Sequence, residues 1–194
     1  MTAQMNDGFR LRGQQYSLAG ISEGRLFDPS AFDLKPIAVC SACWRGYCAE
    51  FGLDGSRLVL DALHVGLHPR DSMEANGPVI NGVHPQGPNS KRAFFNNFYE
   101  GLRIPIEYTG GLLLGDDFIK DLYVHMGFHP AWKYRRVVEL IFTNGVLTDE
   151  FDRSDQMAQF RTQYLEQRLI VGEQGMPDSE EIATFIERAF DRRY

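Results

Sequence analysis

The 194-residue sequence lacks long apolar runs, and this limits where the protein can act. No segment approaches the ~20 consecutive apolar residues that a membrane-spanning helix needs. The first ten residues, MTAQMNDGFR, also lack the charged and then apolar layout of a signal peptide. We therefore expect a cytoplasmic protein that does not act at a membrane.

Positively charged residues are fewer than negatively charged ones: the sequence has 20 Lys and Arg residues and 26 Asp and Glu residues, for a formal net charge of −6. Nucleic acids and anionic lipids attract clustered Lys and Arg, so neither is an expected partner. A protein partner or a small ligand is expected instead. The apolar share of 43% is typical of a folded chain, and the length predicts a single domain over residues 1–194.

Cysteine is scarce, and the three residues present, Cys40, Cys43 and Cys48, lie close together. Their odd number does not indicate a secreted disulfide framework. Cys40 and Cys43 have the spacing of a redox or zinc half-site. However, a redox pair belongs at the start of a helix, and the strand-like WRGYCAEF follows here. A zinc ribbon would need a second such pair, so small buried thiols are the favoured interpretation.

Familiar catalytic signatures are also missing. The sequence contains no nucleophile elbow, P-loop, Rossmann glycine pattern or HExxH zinc motif. This weakens the case for an enzyme without closing it. A small acidic chain of this kind is typical of non-catalytic binding proteins, and its composition is compatible with an immunity-type inhibitor of a toxin.

Turn signals, in contrast, are plentiful. Four stretches place a glycine-containing turn between β-prone runs: FRLRGQQYSL, EFGLDGSRLVL, RIPIEYTGGLLL and VVELIFTNGVL. They predict four hairpins, and therefore about eight mostly antiparallel strands in a sandwich or barrel-like β-rich core. In the last stretch, Val138, Leu140 and Phe142 alternate onto the expected core face.

The carboxyl-terminal part changes character. Residues 70–98 are rich in Gly, Pro and Asn without a sustained period, which predicts a long connection. The tail from 152 to 194 is predicted to be helical, with one helix over about 154–169 and an amphipathic second one over 179–190. The expected fold class is therefore α+β, with two helices covering a face of the β-rich core.

Two stretches of the sequence resemble each other. LHVGLHP at 63–69 and VHMGFHP at 124–130 share His, Gly, His and Pro, and residues 44–61 align without a gap onto 99–116. Together they predict an internal repeat of 44–69 and 99–130, each copy being a hairpin followed by a strand that ends in the histidine motif. The alternative is that hairpins with glycine turns resemble one another anyway.

The repeated histidines suggest a metal site only if the two copies meet. Within one strand, residues four apart are separated by roughly 13 Å, too far to hold one ion. Antiparallel pairing of the copies would place His64 near His129 and His68 near His125. Zinc or another divalent metal there, with Asp116 or Asp117 as base, would make a metal-dependent hydrolase. The favoured alternative is that each histidine caps a turn or pairs with a carboxylate.

The segment Trp44-Arg45-Gly46-Tyr47 is a second candidate for binding. Aromatic rings beside a guanidinium can form a surface that stacks on a ligand or binds a carboxylate. The alternative is a core Trp and Tyr with a salt-bridged Arg. We take Trp44, Arg45, Tyr47, His64 and His125 as the candidate binding residues.

The stretches CWRGYCAEFGLDGSRLVL, LRIPIEYTGG and VHMGF resemble segments of a group of bacterial proteins of unknown function. This resemblance covers about the middle half of the chain and implies that 44–128 is one folding unit, but it implies no reaction. The sequence as a whole favours a non-catalytic binding protein of the bacterial cytoplasm. Exposed hairpin edges are compatible with a homodimer.

Overall fold

A computed structural model of the chain describes residues 2–68, 75–88, 94–172 and 192–194, the last six helical residues by backbone alone. Across these ranges the chain forms eight strands and one α-helix. They are β1 (Gly8–Leu11), β2 (Gln14–Ile21), β3 (Tyr47–Asp54), β4 (Arg57–Val65), β5 (Asn97–Pro105), β6 (Gly110–Phe118), β7 (Tyr134–Thr143), β8 (Val146–Asp152) and α1 (Ser154–Gly172).

The strands form one mixed sheet in the order β3-β1-β2-β6-β7-β8-β4-β5. An additional pairing joins β3 to β4. The strand pairings therefore form a closed ring in the order β1-β2-β6-β7-β8-β4-β3-β1. Among the described pairings, β1 with β3 is parallel and the others are antiparallel. The predicted β-rich α+β class with about eight strands is therefore confirmed.

Three of the four predicted hairpins are present: β1 with β2, β3 with β4, and β7 with β8. The β7–β8 turn shows why the sequence signal works. Asn144 and Gly145 have φ values of 48° and 74°, and Asn and Gly are the residues that best tolerate this left-handed backbone in a tight turn.

The predicted hairpin at RIPIEYTGGLLL is wrong. Both strands exist, but β5 pairs with β4, while β6 lies between β2 and β7. The connection between them is held by other parts of the chain: Ile106 N donates to Leu58 O over 3.0 Å, and Gly145 N donates to Tyr108 O over 2.8 Å. Residues 44–69 and 99–130, predicted to repeat each other, therefore pair differently.

The main core lies on the enclosed face of the sheet. It contains Leu140 and Phe142, with Val138 packed against it, so the alternation along β7 predicted the core face correctly. The opposite face of β7 is also covered. Val137 is fully buried in a second cluster with Ala131 and Tyr134, against which Met157 of α1 packs. The alternation of residues along β7 predicts one buried face, and it does not show that part of the opposite face is buried as well.

Helix α1 begins at Ser154, as predicted, and packs on β7 and on the short helix Ala131–Lys133. Its start is fixed from both sides, because Ser154 N donates to Asp152 Oδ1 while Val137 N donates to Ser154 Oγ. The second predicted helix, over 179–190, lies outside the described residues. No helix in the described ranges is long and apolar enough to cross a membrane.

The long connection predicted at 70–98 is described in part. Residues 75–88 contain a turn closed by Ile80 and Val83, and Gln86 then pairs with Phe98. Strand β5 already begins at Asn97, so the connection is slightly shorter than predicted.

Candidate functional site

Arg45, a candidate binding residue, is occupied inside the protein. Its guanidinium forms a two-pronged ion pair with Asp7, at 2.7 Å from Nη2 to Oδ1 and 2.8 Å from Nη1 to Oδ2. Arg192 Nη1 binds the same carboxylate at 2.9 Å, and Ala49 N donates to it at 2.8 Å. The geometry is that of the salt-bridged alternative.

Asp7 is 4% exposed, yet its carboxylate stays charged. Burial alone would raise the pKa of Asp7, but the charges of Arg45 and Arg192, with the hydrogen bonds from Arg45 and Ala49, lower it. Both guanidiniums also lie over the ring of Phe128, at 5.5 Å and 4.9 Å from its centroid. We call Asp7, Arg45 and Arg192 the buried ion cluster.

The aromatic neighbours of Arg45 differ in exposure. The ring of Tyr47 is half-buried, packs against the main core and lies 4.8 Å beneath the Arg45 guanidinium. Trp44 is 49% exposed and is therefore not a core residue. Of the segment, Trp44 alone offers a large surface to a partner.

A cleft of about 360 Å³ opens beside the buried ion cluster. We call it the polar cleft. Its lining comes from the segment before β1, from β1, β2, β3 and β6, and from the start of β7: Asn6, Asp7, Gly8, Gln15, Tyr16, Ser17, Glu50, Gly115, Asp116, Asp117, Phe118 and Tyr134.

Strand register brings these residues together. Gly8 faces Ser17 across β1 and β2 and faces Glu50 across β1 and β3, while Ser17 faces Gly115 of β6. Four strands therefore contribute neighbouring positions to one row of the sheet. Phe118 faces Tyr134 at the far end of the β6–β7 ladder and adds an aromatic wall.

Glycines at two positions of this row let side chains lie across the backbone. A Cβ atom on Gly8 would come within 2.5 Å of Gln15 Nε2, and one on Gly115 within 2.5 Å of the Tyr134 ring. Real Cβ contacts are not this short, so Gly115 makes space for the Tyr134 wall, whereas at Gly8 the flexible end of Gln15 would have to move.

The cleft carries hydrogen-bond acceptors that the protein does not use fully. Within the described part of the chain Asn6 Oδ1 is buried without a hydrogen-bond partner, although Asn6 Nδ2 donates to Tyr134 Oη at 3.2 Å. Glu50 accepts from Gln15 at 3.2 Å, and no cationic residue of the described ranges pairs with it. Because Asn6 Oδ1 is buried, Glu50 is the one of these two acceptors that is partly exposed to the cleft.

Two further carboxylates line the cleft, and these are already paired. Asp116 binds Arg136 and Gln14, and Asp117 binds Arg135 at 3.2 Å. Both arginines are largely exposed. The sequence singled out these two aspartates as candidate bases, and the structure places them as ion-pair partners at the rim.

The histidines of the first motif have local partners. His64 lies on β4, hydrogen-bonds Glu100 over 3.2 Å and stacks at 4.9 Å on Phe98. His68 Nδ1 lies 2.9 Å from Asn96 Nδ2. For His64 the carboxylate pairing favoured from the sequence is present.

The histidines of the second motif lie in different surroundings. Residues 124–130 form no strand, so the predicted antiparallel pairing with β4 is wrong; β4 pairs with β3, β5 and β8. His125 contacts the ring of Tyr123 at 4.8 Å. His129 is 8% exposed, and burial, with the nearby charge of Lys133, lowers its pKa to about 4.

The two motifs therefore have different neighbours: His64 and His68 contact residues of 96–100, whereas His125 and His129 both contact the ring of Tyr123. Over the described ranges, no group of three or more His, Cys, Asp or Glu residues has an arrangement that could hold a metal ion. The metal-dependent hydrolase stays a prediction of the sequence that no contact of the structure supports.

The residues that matter most in the cleft were not recognised from the sequence. Asn6, Asp7 and Glu50 carry no motif, and Asp7 meets Arg192 across 185 positions of the chain. The one available signal was glycine at position 8, between polar residues and the apolar Phe9, which marks a close approach of chains.

Comparisons of this chain with protein-family models, with curated proteins and with solved structures found no significant match. The resemblance to the bacterial group stays a prediction. What the protein binds must be inferred from the cleft itself.

Proposed function

We propose that the protein is a non-catalytic binding protein of the bacterial cytoplasm, and that its polar cleft receives a cationic side chain of a partner protein. The observation that carries this proposal is the carboxylate of Glu50, which lines the cleft and pairs with no cationic residue in the described part of the chain. A buried acceptor without a partner costs free energy, and a carboxylate without a cation attracts one.

A Lys or Arg side chain matches the cleft in both of its parts. Such side chains combine an apolar stem with a charged head that donates several hydrogen bonds. The rings of Phe118 and Tyr134 provide an apolar wall for the stem. Glu50 provides the carboxylate that accepts from the head.

The charge of the whole chain supports the same kind of partner. A net charge of −6 attracts basic surfaces over long range and raises the rate of encounter with them. Immunity-type inhibitors, which bind toxins, belong to this functional class. A toxin with a basic surface is the form of partner that the acidic composition favours.

Nuclear magnetic resonance with short capped peptides tests the proposal. One peptide carries a central lysine, one an arginine, and one a citrulline, which has the shape of arginine without its charge. We expect saturable shifts of the amide signals of Gly8, Ser17 and Gly115 with the two cationic peptides. The citrulline peptide should cause much smaller shifts, because a neutral head gains less from a carboxylate.

A matched pair of variants locates the interaction. Glu50→Gln removes the unpaired carboxylate and is expected to weaken peptide binding roughly 3- to 10-fold, as for an ion pair worth ~1 kcal/mol. Glu107→Gln makes the same change outside the cleft and should leave binding unaltered. Equal binding of the citrulline peptide, or equal weakening by both variants, would refute the proposed site.

A further inference from the structure

Two cysteines that are close in the sequence, Cys43 and Cys48, also lie next to each other in the fold. Cys43 is in the segment before β3, Cys48 is the second residue of that strand, and their sulfur atoms are 4.0 Å apart. The pair is not the one with the familiar spacing, which is Cys40 with Cys43. A disulfide needs a separation of about 2 Å, so closing the gap takes a movement of roughly 2 Å.

The thiol of Cys43 has two close partners: the carbonyl oxygen of Tyr47 at 3.2 Å, to which it donates, and the sulfur of Cys48 at 4.0 Å. The hydrogen bond with Cys48 lowers the pKa of Cys43 to about 7 against the opposing effect of burial, and the charge of Arg45 and the amide of Gly46 act in the same direction. The same coupling raises the pKa of Cys48. A share of Cys43 is therefore thiolate near neutral pH, with the Cys48 thiol as its donor, and this share grows as the pH rises.

We propose that Cys43 and Cys48 form a redox-active dithiol that a small peroxide converts into a disulfide. In the first step the Cys43 thiolate attacks one peroxide oxygen. A sulfur–oxygen bond forms, the oxygen–oxygen bond breaks, and the leaving hydroxide takes a proton to become water.

In the second step the sulfur of Cys48 attacks the sulfenic acid on Cys43. The sulfur–sulfur bond forms, the sulfur–oxygen bond breaks, and the departing hydroxide takes the Cys48 proton and leaves as a second water. Two thiols lose two electrons in total, and one peroxide is reduced to two waters. No other reactant is needed.

The position of the pair gives the disulfide a structural consequence. Cys43 and Cys48 enclose the segment with Arg45, which binds the buried carboxylate of Asp7. A bond between the two sulfurs would tie this segment to β3. Because Cys43 is 1% exposed, a small oxidant is expected to reach it more readily than a bulky thiol reagent.

Mass spectrometry with hydrogen peroxide as the probe tests the proposal. The reduced, untagged chain should lose about 2 Da on mild oxidation and regain it with a dithiol reductant. Trypsin cleaves after Arg45, so a Cys43–Cys48 disulfide joins the peptide 26–45 to the peptide 46–57. A Cys40–Cys43 disulfide would lie within the first peptide and leave the second one free.

Single substitutions identify the sulfurs. The joined peptide should persist in Cys40→Ser and disappear in Cys43→Ser and in Cys48→Ser. A Cys40–Cys48 disulfide would join the same two peptides, so the joined wild-type peptide is also fragmented between Ser41 and Ala42, which separates Cys40 from Cys43. This fragment decides the matter even if one of the variants fails to fold, and a bond from Cys48 to Cys40 would count against the proposal. Oxidation without the joined peptide, an internal Cys40–Cys43 bond, or no loss of mass would overturn the proposal.

Discussion

The buried ion cluster allows a quantitative test of how the fold is held together. Asp7→Asn keeps the size of the side chain but removes the charge that faces Arg45 and Arg192. The two guanidiniums would remain partly buried, at 18% and 17% side-chain exposure, without a balancing carboxylate. An amide nitrogen would also direct donors at groups that are donors themselves.

The expected cost follows from burial. Removing one partner of a buried ion pair destabilises a protein by about 3–5 kcal/mol. Since water still reaches part of both arginines, we expect the lower end of this range. For a chain of this size, ~3 kcal/mol corresponds to a fall in Tm of about 6–12 °C.

Urea unfolding followed by circular dichroism measures this free energy directly, and a calorimetric scan gives the Tm. Asp117→Asn is the matched control, because Asp117 has an exposed ion pair with Arg135. Exposed pairs contribute about 0–1 kcal/mol. If Asp7→Asn costs no more than Asp117→Asn, the buried ion cluster does not stabilise the fold as argued.

The pH dependence of the same site has a defined sign. The folded protein lowers the pKa of Asp7 below its ordinary value of 3.8. The contribution of Asp7 is therefore complete above that value and is lost as the pH falls below it, through the lowered pKa of the folded state. Asp7→Asn should remove this part of the acid dependence.

Three other predictions concern single sites. His129 has a pKa of about 4 against 6.5 for a free histidine, so the free energy of unfolding should fall by up to about 3 kcal/mol as the pH drops from 6.5 to 4. His129→Gln should flatten this dependence of the urea-unfolding free energy on pH, and an unchanged pH dependence would contradict the assignment. Gly115→Ala should lower the free energy of unfolding by about 1–3 kcal/mol, because the new Cβ meets the Tyr134 ring at 2.5 Å. Gly52→Ala, with 3.5 Å to the nearest atom, should lower it far less. Equal urea midpoints for the two variants would count against this packing. Elemental analysis of untagged protein should show no stoichiometric zinc, manganese or iron, and metal that is lost in His64→Ala would favour the hydrolase instead.

Local sequence patterns predicted local structure well. The Asn144–Gly145 turn, the core row of β7 and the start of α1 each depend on a few neighbouring residues. In each case the physical cause acts within one turn or one strand, through backbone strain, side-chain alternation or capping. These are the features that a single sequence can show.

Pairing between strands that are distant in the sequence was harder to predict from local patterns. The glycine turn near residue 110 correctly marked the end of one strand and the start of another, but it did not determine their neighbours. Hydrogen bonds from Ile106 to Leu58 and from Gly145 to Tyr108 decide that β5 and β6 separate. The similarity of 63–69 to 124–130 was misleading for the same reason, since identical residues end a strand in one copy and lie outside any strand in the other.

The same distinction applies to the functional site. Arg45 lies in a conspicuous aromatic segment and was therefore a predicted binding residue. In the structure its charge is balanced by Asp7, so its hydrogen bonds are directed into the protein. Asn6 and Glu50 lie in no motif. Within the described residues Asn6 Oδ1 has no hydrogen-bond partner, which is also true of His129 Nε2, and Glu50 has no cationic partner. A motif shows which residues are unusual, whereas binding capacity depends on which polar atoms remain unsatisfied after folding. That property is set by register across four strands, and for this reason the cleft became visible only in three dimensions.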